Sequence, residues 1–345
     1  MNAATTSEKV FYNAAWKATT CNHREIRKLK SSGETWKEIF SKLQRSAEVA
    51  DPETEWEKLK KYGIELIMAD EDNFPALLRE IYWPPFGIYL KGETGILKKP
   101  GIGIVGTRKA TDDGVELAHH FGMELARAGM PIVSGLAFGI DAAAHKGCLA
   151  AGGLTVAVLA CGLDEIYPRT NERLAAEILS AGGVLISEYP PDTSPLPHRF
   201  IERNRLVSGL SLGGVVVEAP EKSGSLATAR FASEQNREVF VVPGPANHRN
   251  FSGSHGLIRN GARLVSKASD ILEDLNMIEP SGETGSGETD EEKLISEIIK
   301  NSSEPLGIDK ITEIANLESR TVSQTLTLLL LKNVVKEKGD GYSII

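Results

Sequence analysis

Short apolar runs at 102–105, 132–133, 155–159, 184–186, 214–218 and 239–242 alternate with segments of helical character, and this alternation leaves few folds open. The runs are rich in valine and isoleucine and do not alternate with polar residues, so each strand is buried on both faces. Helices are expected at 113–128 (stopped by Gly129), 141–151, 171–180 and 225–235. Strand, helix, strand in strict succession predicts an α/β domain: a Rossmann-like, doubly wound, mostly parallel sheet between helices. Such sheets bind ligands outside the carboxyl ends of their strands. The informative residues should therefore lie in the loops that follow the strands.

The flanks read differently. Residues 1–90 carry Trp16, Trp36 and Trp56 in charged, amphipathic surroundings, which predicts a small helical domain with the indoles as anchors. Residues 65–68 suggest a short strand, and Pro84 with Pro85 breaks any helix before an extended segment. The Rossmann-like domain is expected over 91–275 and a flexible, glycine-rich linker over 276–290. In 291–345, three helical stretches followed by a hairpin around a Gly-Asp-Gly turn predict a winged helix-turn-helix.

Composition narrows the function. A net charge of −8 over 345 residues argues against coating nucleic acid through bulk charge, and leaves room for a local basic patch. Cys21, Cys148 and Cys161 are scattered, lack metal-ligand spacing and read as buried reduced thiols of a cytoplasmic protein. No apolar run is long enough to span a bilayer, and the first residues lack the pattern of a signal peptide.

The loops supply the chemistry. Ser134-Gly135 and Gly139 sit between a strand and a helix start, where glycine flexibility and free amides suit a phosphate. Gly106, Arg108 and Lys109 follow the first strand, and a guanidinium can meet a phosphate with two parallel hydrogen bonds. Asp141 reads as a helix cap or as a carboxylate orienting an arginine. Arg169 and Asn171 stand before another helix start, with Tyr167 placed to stack or to pack. Arg199, Arg203, Asn204 and Arg205 form the strongest basic cluster; either they track a phosphodiester backbone or they pair with Glu188, Glu202 and Glu218. Ser223-Gly224-Ser225 is a second glycine-hydroxyl loop at a helix start. The Gly101-x-Gly103-x-x-Gly106 run matches a dinucleotide fingerprint by letter only, because its glycines lie in the strand and no acidic residue ends the next one. There is no P-loop, no triad-like pattern and no metal spacing, so catalytic residues, metal and cofactor are all expected to be absent.

Taken in order, Gly-Thr-Arg-Lys-Ala-Thr at 106–111, Ser-Gly-Leu-Ala-Phe-Gly-Ile-Asp at 134–141, Gly-Leu-Asp-Glu-Ile-Tyr-Pro at 162–168, Arg-Asn-Arg at 203–205 and Ser-Gly-Ser at 223–225 resemble the DNA processing protein A (DprA, also called Smf) family. The resemblance covers roughly 60–270. It implies a non-enzymatic single-stranded DNA binder that protects incoming DNA in natural transformation, loads the RecA recombinase and dimerises through its Rossmann-like domain. It also implies that Arg108, the 134–139 loop, Arg169 and Arg203-Asn204-Arg205 line a basic DNA pocket. The 198–202 stretch departs from the family, which carries a proline before its Arg-Asn-Arg. The recognition helix of the winged helix offers Arg320 but otherwise Thr321, Ser323, Gln324 and leucines, so the domain is expected to contact protein or to help DNA binding only weakly. The rival reading is a nucleotide-binding enzyme of the related phosphoribohydrolase-like group. That group's phosphate loop ends in a catalytic acid, where this chain continues through Thr228 and Arg230 to Phe231.

Overall fold

The computed structural model describes residues 3–46, 51–277, 290–302, 304–331, 334–338 and 341–344. The chain divides into two compact units, Met1–Met277 and Ile278–Ile345. The first opens with helices α1 (Ala3–Ala18), α2 (His23–Lys30), α3 (Trp36–Ser46) and α4 (Pro52–Tyr62). Their ends follow local rules: Asn22 caps α2 by accepting from the Glu25 amide, and Asp51 caps α4 with Pro52 in its first turn. There follow β1 (Glu65–Met68), α5 (Ala76–Arg79), β2 (Gly87–Gly92), β3 (Gly101–Val105), α6 (Asp112–Arg127), β4 (Ile132–Ser134), α7 (Ile140–Ala150) and β5 (Thr155–Leu159). The unit continues with α8 (Glu172–Ser180), β6 (Val184–Ser187), α9 (Pro197–Gly209), β7 (Ser211–Val216), α10 (Gly224–Glu234), β8 (Glu238–Val241), α11 (Ser252–Arg259), β9 (Arg263–Leu264) and α12 (Ala268–Asp274).

The strands form one nine-stranded sheet in the order β1-β2-β6-β5-β4-β3-β7-β8-β9. From β6 to β9 every pairing is parallel, while β1 and β2 join antiparallel at one edge. The expected parallel strands are all present, with ends shifted by a few residues, and the fold is the mostly parallel Rossmann-like α/β architecture. From β3 the chain moves outward through β4, β5 and β6, then returns to β3's other side with β7. The strand order therefore reverses between β3 and β7, which is where an open α/β sheet has its crevice.

Both faces are covered. Ile102, Ile104, Val215 and Phe240 pack under α6, α7 and α12. Val105, Val133, Val158 and Val216 pack under α9 and α10 through Leu206, Val207, Ala229 and Ala232. The N-terminal helices share a core with the sheet: Trp16 and Trp36 are buried beside Tyr89, Leu66, Leu159 and Tyr189, and Trp56 packs at the margin. Trp16 also donates from Nε1 to the Glu188 carbonyl at 2.7 Å. Helix α9 was not expected from the sequence. Its inward side carries Arg199, Arg203 and Arg205 alongside Leu206 and Val207.

The second unit holds α13 (Asp290–Lys300), α14 (Ile308–Ala315), α15 (Ser319–Leu331) and the antiparallel pair β10 (Val335–Lys338) and β11 (Gly341–Ile344). Its core is Ile295, Ile299, Ile311, Val322, Leu326, Leu329 and Val335. Most of the expected linker, residues 278–289, and two residues of the Gly-Asp-Gly turn, 339–340, lie outside the described residues.

Candidate nucleic-acid interface

The crevice between β3 and β7 is bounded by the loop after β3, carrying Gly106, Thr107 and Arg108, and by the loop after β7. Buried Glu218, just past β7, holds the first loop in place. Its carboxylate accepts from the Thr111 hydroxyl, from the Thr111 amide at 3.1 Å and from Asn250 Nδ2 at 2.8 Å. Thr111 in turn caps α6 by accepting from the Gly114 amide at 3.0 Å. Glu218 is thus a positioning group for the loop and is not paired with the arginines of α9.

The loop over 134–141 does bind an anion, but the anion is the protein's own. The amides of Gly135 and Ala137 donate to Asp141 Oδ2 at 3.1 and 3.4 Å. Ser134 is fully buried and donates its hydroxyl to the Ile104 carbonyl at 2.6 Å. Arg203 reaches in from α9 and donates from one terminal nitrogen to the carbonyls of Gly135, at 2.7 Å, and Val158. Burial pushes the Asp141 carboxyl above its ordinary value, and Arg203 and the two amides pull against that. Ser134, Gly135 and Gly139, expected to cradle a phosphate, therefore build the floor of the site instead. Their glycines serve close packing: a Cβ on Gly135 would stand 2.6 Å from the Arg203 guanidinium carbon. Gly139 has φ 73°, and a Cβ there would meet the Thr107 carbonyl at 2.5 Å. Gly139→Ala is expected to cost roughly 1–3 kcal/mol of stability by chemical denaturation, from backbone strain.

Above this floor opens a cleft of about 520 Å³. Gly106, Arg108, Arg203, Asn204, Ser223, Gly224 and Ser225 all line it, together with Tyr167, Phe200, Ile201 and Lys222. Arg108 is exposed, makes no ion pair among the described residues, and lies with Cζ 4.7 Å from the Phe200 ring centroid. Arg203 approaches the same ring at 6.0 Å, and Tyr167 meets it edge-on at 5.6 Å. On the facing wall α10 begins at Gly224, whose amide has no intrahelical partner. Ser223 caps that helix by accepting from the Ser225 amide at 3.3 Å. Asn204 ties the two walls, donating to the Gly224 carbonyl at 3.1 Å and accepting from Arg203 Nε at 3.2 Å. Among the described residues the only carboxylate lining the cleft is Asp141, and it accepts from the amides of Gly135 and Ala137. Cations, the free Gly224 amide and half-exposed rings around one opening suit a ligand that carries phosphate and aromatic bases.

The remaining candidates lie elsewhere. Lys109 is exposed at the back of its loop, and its carbonyl accepts from Asn250 at 3.0 Å. Asn171 props the floor loop by donating to the Leu136 carbonyl at 2.8 Å. Arg169 faces a neighbouring hollow beside Glu165, Asp164 and Asp192. Arg199 turns toward the N-terminal helices, donating to the carbonyls of Ser194 and Thr20 at 2.6 and 3.1 Å. Arg205 is 1% exposed and donates to Glu188 at 2.7 Å and to the Trp83 carbonyl at 3.1 Å, with its guanidinium 4.4 Å from the Trp83 ring. Arg205 takes the ion pair with Glu188 that the sequence left as the alternative, whereas Arg199 pairs with no carboxylate among the described residues; neither lines the cleft. Phe200, the aromatic ring of the basic cluster, does line the cleft, and Lys222 is a cleft residue that the sequence reading passed over. Lys222 could have been found from its place beside the Ser-Gly-Ser loop.

The family model of DNA recombination-mediator protein A matches residues 65–276. Protein Smf of Escherichia coli is 45% identical over 210 residues, which are 61% of this chain and 56% of that protein. The DNA processing protein DprA of Bacillus subtilis is 44% identical over 217 residues, 63% of this chain and 73% of that one. The chain thus spans little more than half the length of its Escherichia coli relative. Among solved structures, DprA of Streptococcus pneumoniae superposes with a TM-score of 0.61 at 35% identity, covering 68% of this chain and 81% of that one. DNA processing protein A of Helicobacter pylori, whose structure addresses its single-stranded DNA binding mode, gives 0.55 at 32% identity over 62% of this chain and 95% of that one. The family match runs from β1 through α12, so it contains the sheet, the floor and every wall of the cleft, and the chain belongs to the DNA recombination-mediator protein A family.

Proposed function

We propose that the cleft holds single-stranded DNA, and that the protein is a non-catalytic recombination mediator that shields incoming strands and passes them to a RecA-type recombinase. The observation that carries this reading is Arg108 lying over the Phe200 ring in the same cleft as the unpaired Gly224 amide that opens α10. A guanidinium and helix amides meet phosphates, while Phe200 and Tyr167 offer faces to bases of any identity. Duplex DNA keeps its base faces stacked and would leave those rings unused. The single-stranded binding mode studied for the Helicobacter pylori relative supports the choice of ligand. The family's description as a recombination mediator supports transfer to a recombinase.

A non-catalytic role is supported by the cleft's lack of a free carboxylate: Asp141 is engaged by two amides, and Ser223 to Thr228 supply none. Incubation with nucleoside monophosphates is expected to release no free base. The protein acts as a homodimer through the sheet-containing unit, as the family resemblance implies. Its setting is the cytoplasm. All three cysteines are free and buried, and among the described residues no helix is long and apolar enough to cross a membrane.

Titration of fluorescent oligothymidylate at several salt concentrations tests the ligand class. With about three to five phosphates neutralised, the slope of log affinity against log salt should be about −2 to −3.5. A slope near zero would reject electrostatic capture of the backbone.

A further inference from the structure

The cleft does not end at α9. Pro197, Phe200, Ile201 and Asn204 face the cleft, while His198, Arg199 and Glu202, on the opposite flank of the same helix, face a second groove against α2. Between the two lies an apolar hollow that shares Ile201 with the cleft and Trp83, His198 and Glu202 with the groove. The three depressions form one continuous surface around α9. The hollow is lined by Tyr82, which is 94% exposed, and by half-buried Phe231. An aromatic face open to solvent can take a stacked base of any identity.

The groove beyond it, about 520 Å³ in volume, is cationic. Arg24, Arg27 and Arg199 line it, and none of them forms an ion pair among the described residues. Elsewhere in this acidic chain Arg127, Arg173, Arg230, Arg237 and Arg263 each close on a glutamate. The groove arginines rest instead on neutral partners: Arg27 lies over the Trp83 and Phe86 rings and Arg199 over Tyr189, and their hydrogen bonds go to carbonyls. Arg199 holds Ser194 and Thr20, Arg27 holds Pro84, and Arg24 projects into solvent. Buried Nε atoms of Arg27 and Arg199 have no hydrogen-bond partner. The acidic groups nearby are committed: Glu188 closes on Arg205, and Glu202 accepts from the Tyr189 hydroxyl at 2.7 Å. Buried His23 stands between these two carboxylates, at 3.5 and 3.6 Å. The cleft's other neighbour, which shares Tyr167 and Pro195 with it, carries Asp164, Glu165 and Asp192 around Arg169 and would repel a phosphate chain.

We propose that a single strand leaving the cleft crosses α9 at Ile201, lays its bases on Tyr82 and Phe231, and sets its phosphates on Arg24, Arg27 and Arg199, so that the N-terminal helices are a second half of the DNA-binding surface. This path rests on the cleft holding single-stranded DNA. Arg24→Glu and Tyr82→Ala test it in the full chain, because both side chains are exposed and neither is hydrogen-bonded among the described residues. For an oligothymidylate of about 16 nucleotides, each substitution should weaken binding about 5–20-fold, and Arg24→Glu should also flatten the salt slope by about 0.7–1.4. For one of about 6 nucleotides, short enough to sit in the cleft alone, affinity should stay within about twofold. Arg108→Ala should weaken both lengths. Unchanged long-strand binding in both path variants, with Arg108→Ala still harmful, would overturn the path alone and leave the groove to a protein partner. Equal losses on the short strand would overturn it too, since the groove would then belong to the primary grip. Indifference of both lengths to Arg108→Ala would instead remove the cleft itself.

Discussion

Arg205→Ala is expected to cost about 3–5 kcal/mol of folding stability while leaving the affinity of the folded protein for a strand of about 6 nucleotides, confined to the cleft, within about twofold. Arg205 and Glu188 are 1% and 2% exposed and 2.7 Å apart, so removing the guanidinium strands a carboxylate in the interior. The same guanidinium donates to the Trp83 carbonyl, and Glu188 lends its own carbonyl to Trp16. One ion pair therefore joins α9, the end of β6 and the N-terminal layer. Chemical denaturation of Arg205→Ala, Glu188→Ala and the double variant gives the coupling directly, and roughly 0.5–3 kcal/mol of non-additivity is expected. A stable Arg205→Ala protein that no longer bound DNA would return Arg205 to the binding surface.

Arg108→Ala should do the converse. The side chain is exposed, its neighbour in the cleft is the Phe200 ring, and no carboxylate among the described residues pairs with it. Its loss should leave stability within about 0.5 kcal/mol. It should weaken oligothymidylate binding by about 1–3 kcal/mol, or roughly 5–150-fold, because charge-assisted contacts to phosphate are the strong ones. The salt slope should flatten by about 0.7, the share of one phosphate on a single strand. Wild-type affinity and slope in this variant would remove Arg108 from the contact surface.

The sheet was legible because its strands are continuous apolar runs, and a parallel strand buried on both faces can hardly be written otherwise. The position of the crevice followed from the strand order. Helix α9 was hidden because much of its inward pattern is carried by Arg199, Arg203 and Arg205, which hydrophobic periodicity does not register. The same property made those arginines look like surface charge. Their burial is set by partners distant in sequence: Gly135 and Val158 for Arg203, Glu188 for Arg205 and Thr20 for Arg199. Asp141 is the complementary case. A carboxylate at a helix start is visible in the sequence. That it turns back to fill the amide nest at Gly135 and Ala137, making a phosphate loop into a floor, depends on a side-chain direction that spacing does not encode. Arg108 and Ser223-Gly224-Ser225 line the cleft because loops that end strands at the point of reversal face outward by construction.

The central claim is that bases and phosphates of one strand meet in the cleft between β3 and β7. Photocross-linking of an iodouracil-substituted oligothymidylate, followed by mass spectrometry of the attached peptide, tests it most directly. The account predicts attachment at Phe200 or Tyr167, suppressed by an excess of unlabelled single strand. Attachment confined to the Ile278–Ile345 unit, or efficient competition by blunt duplex alone, would contradict it.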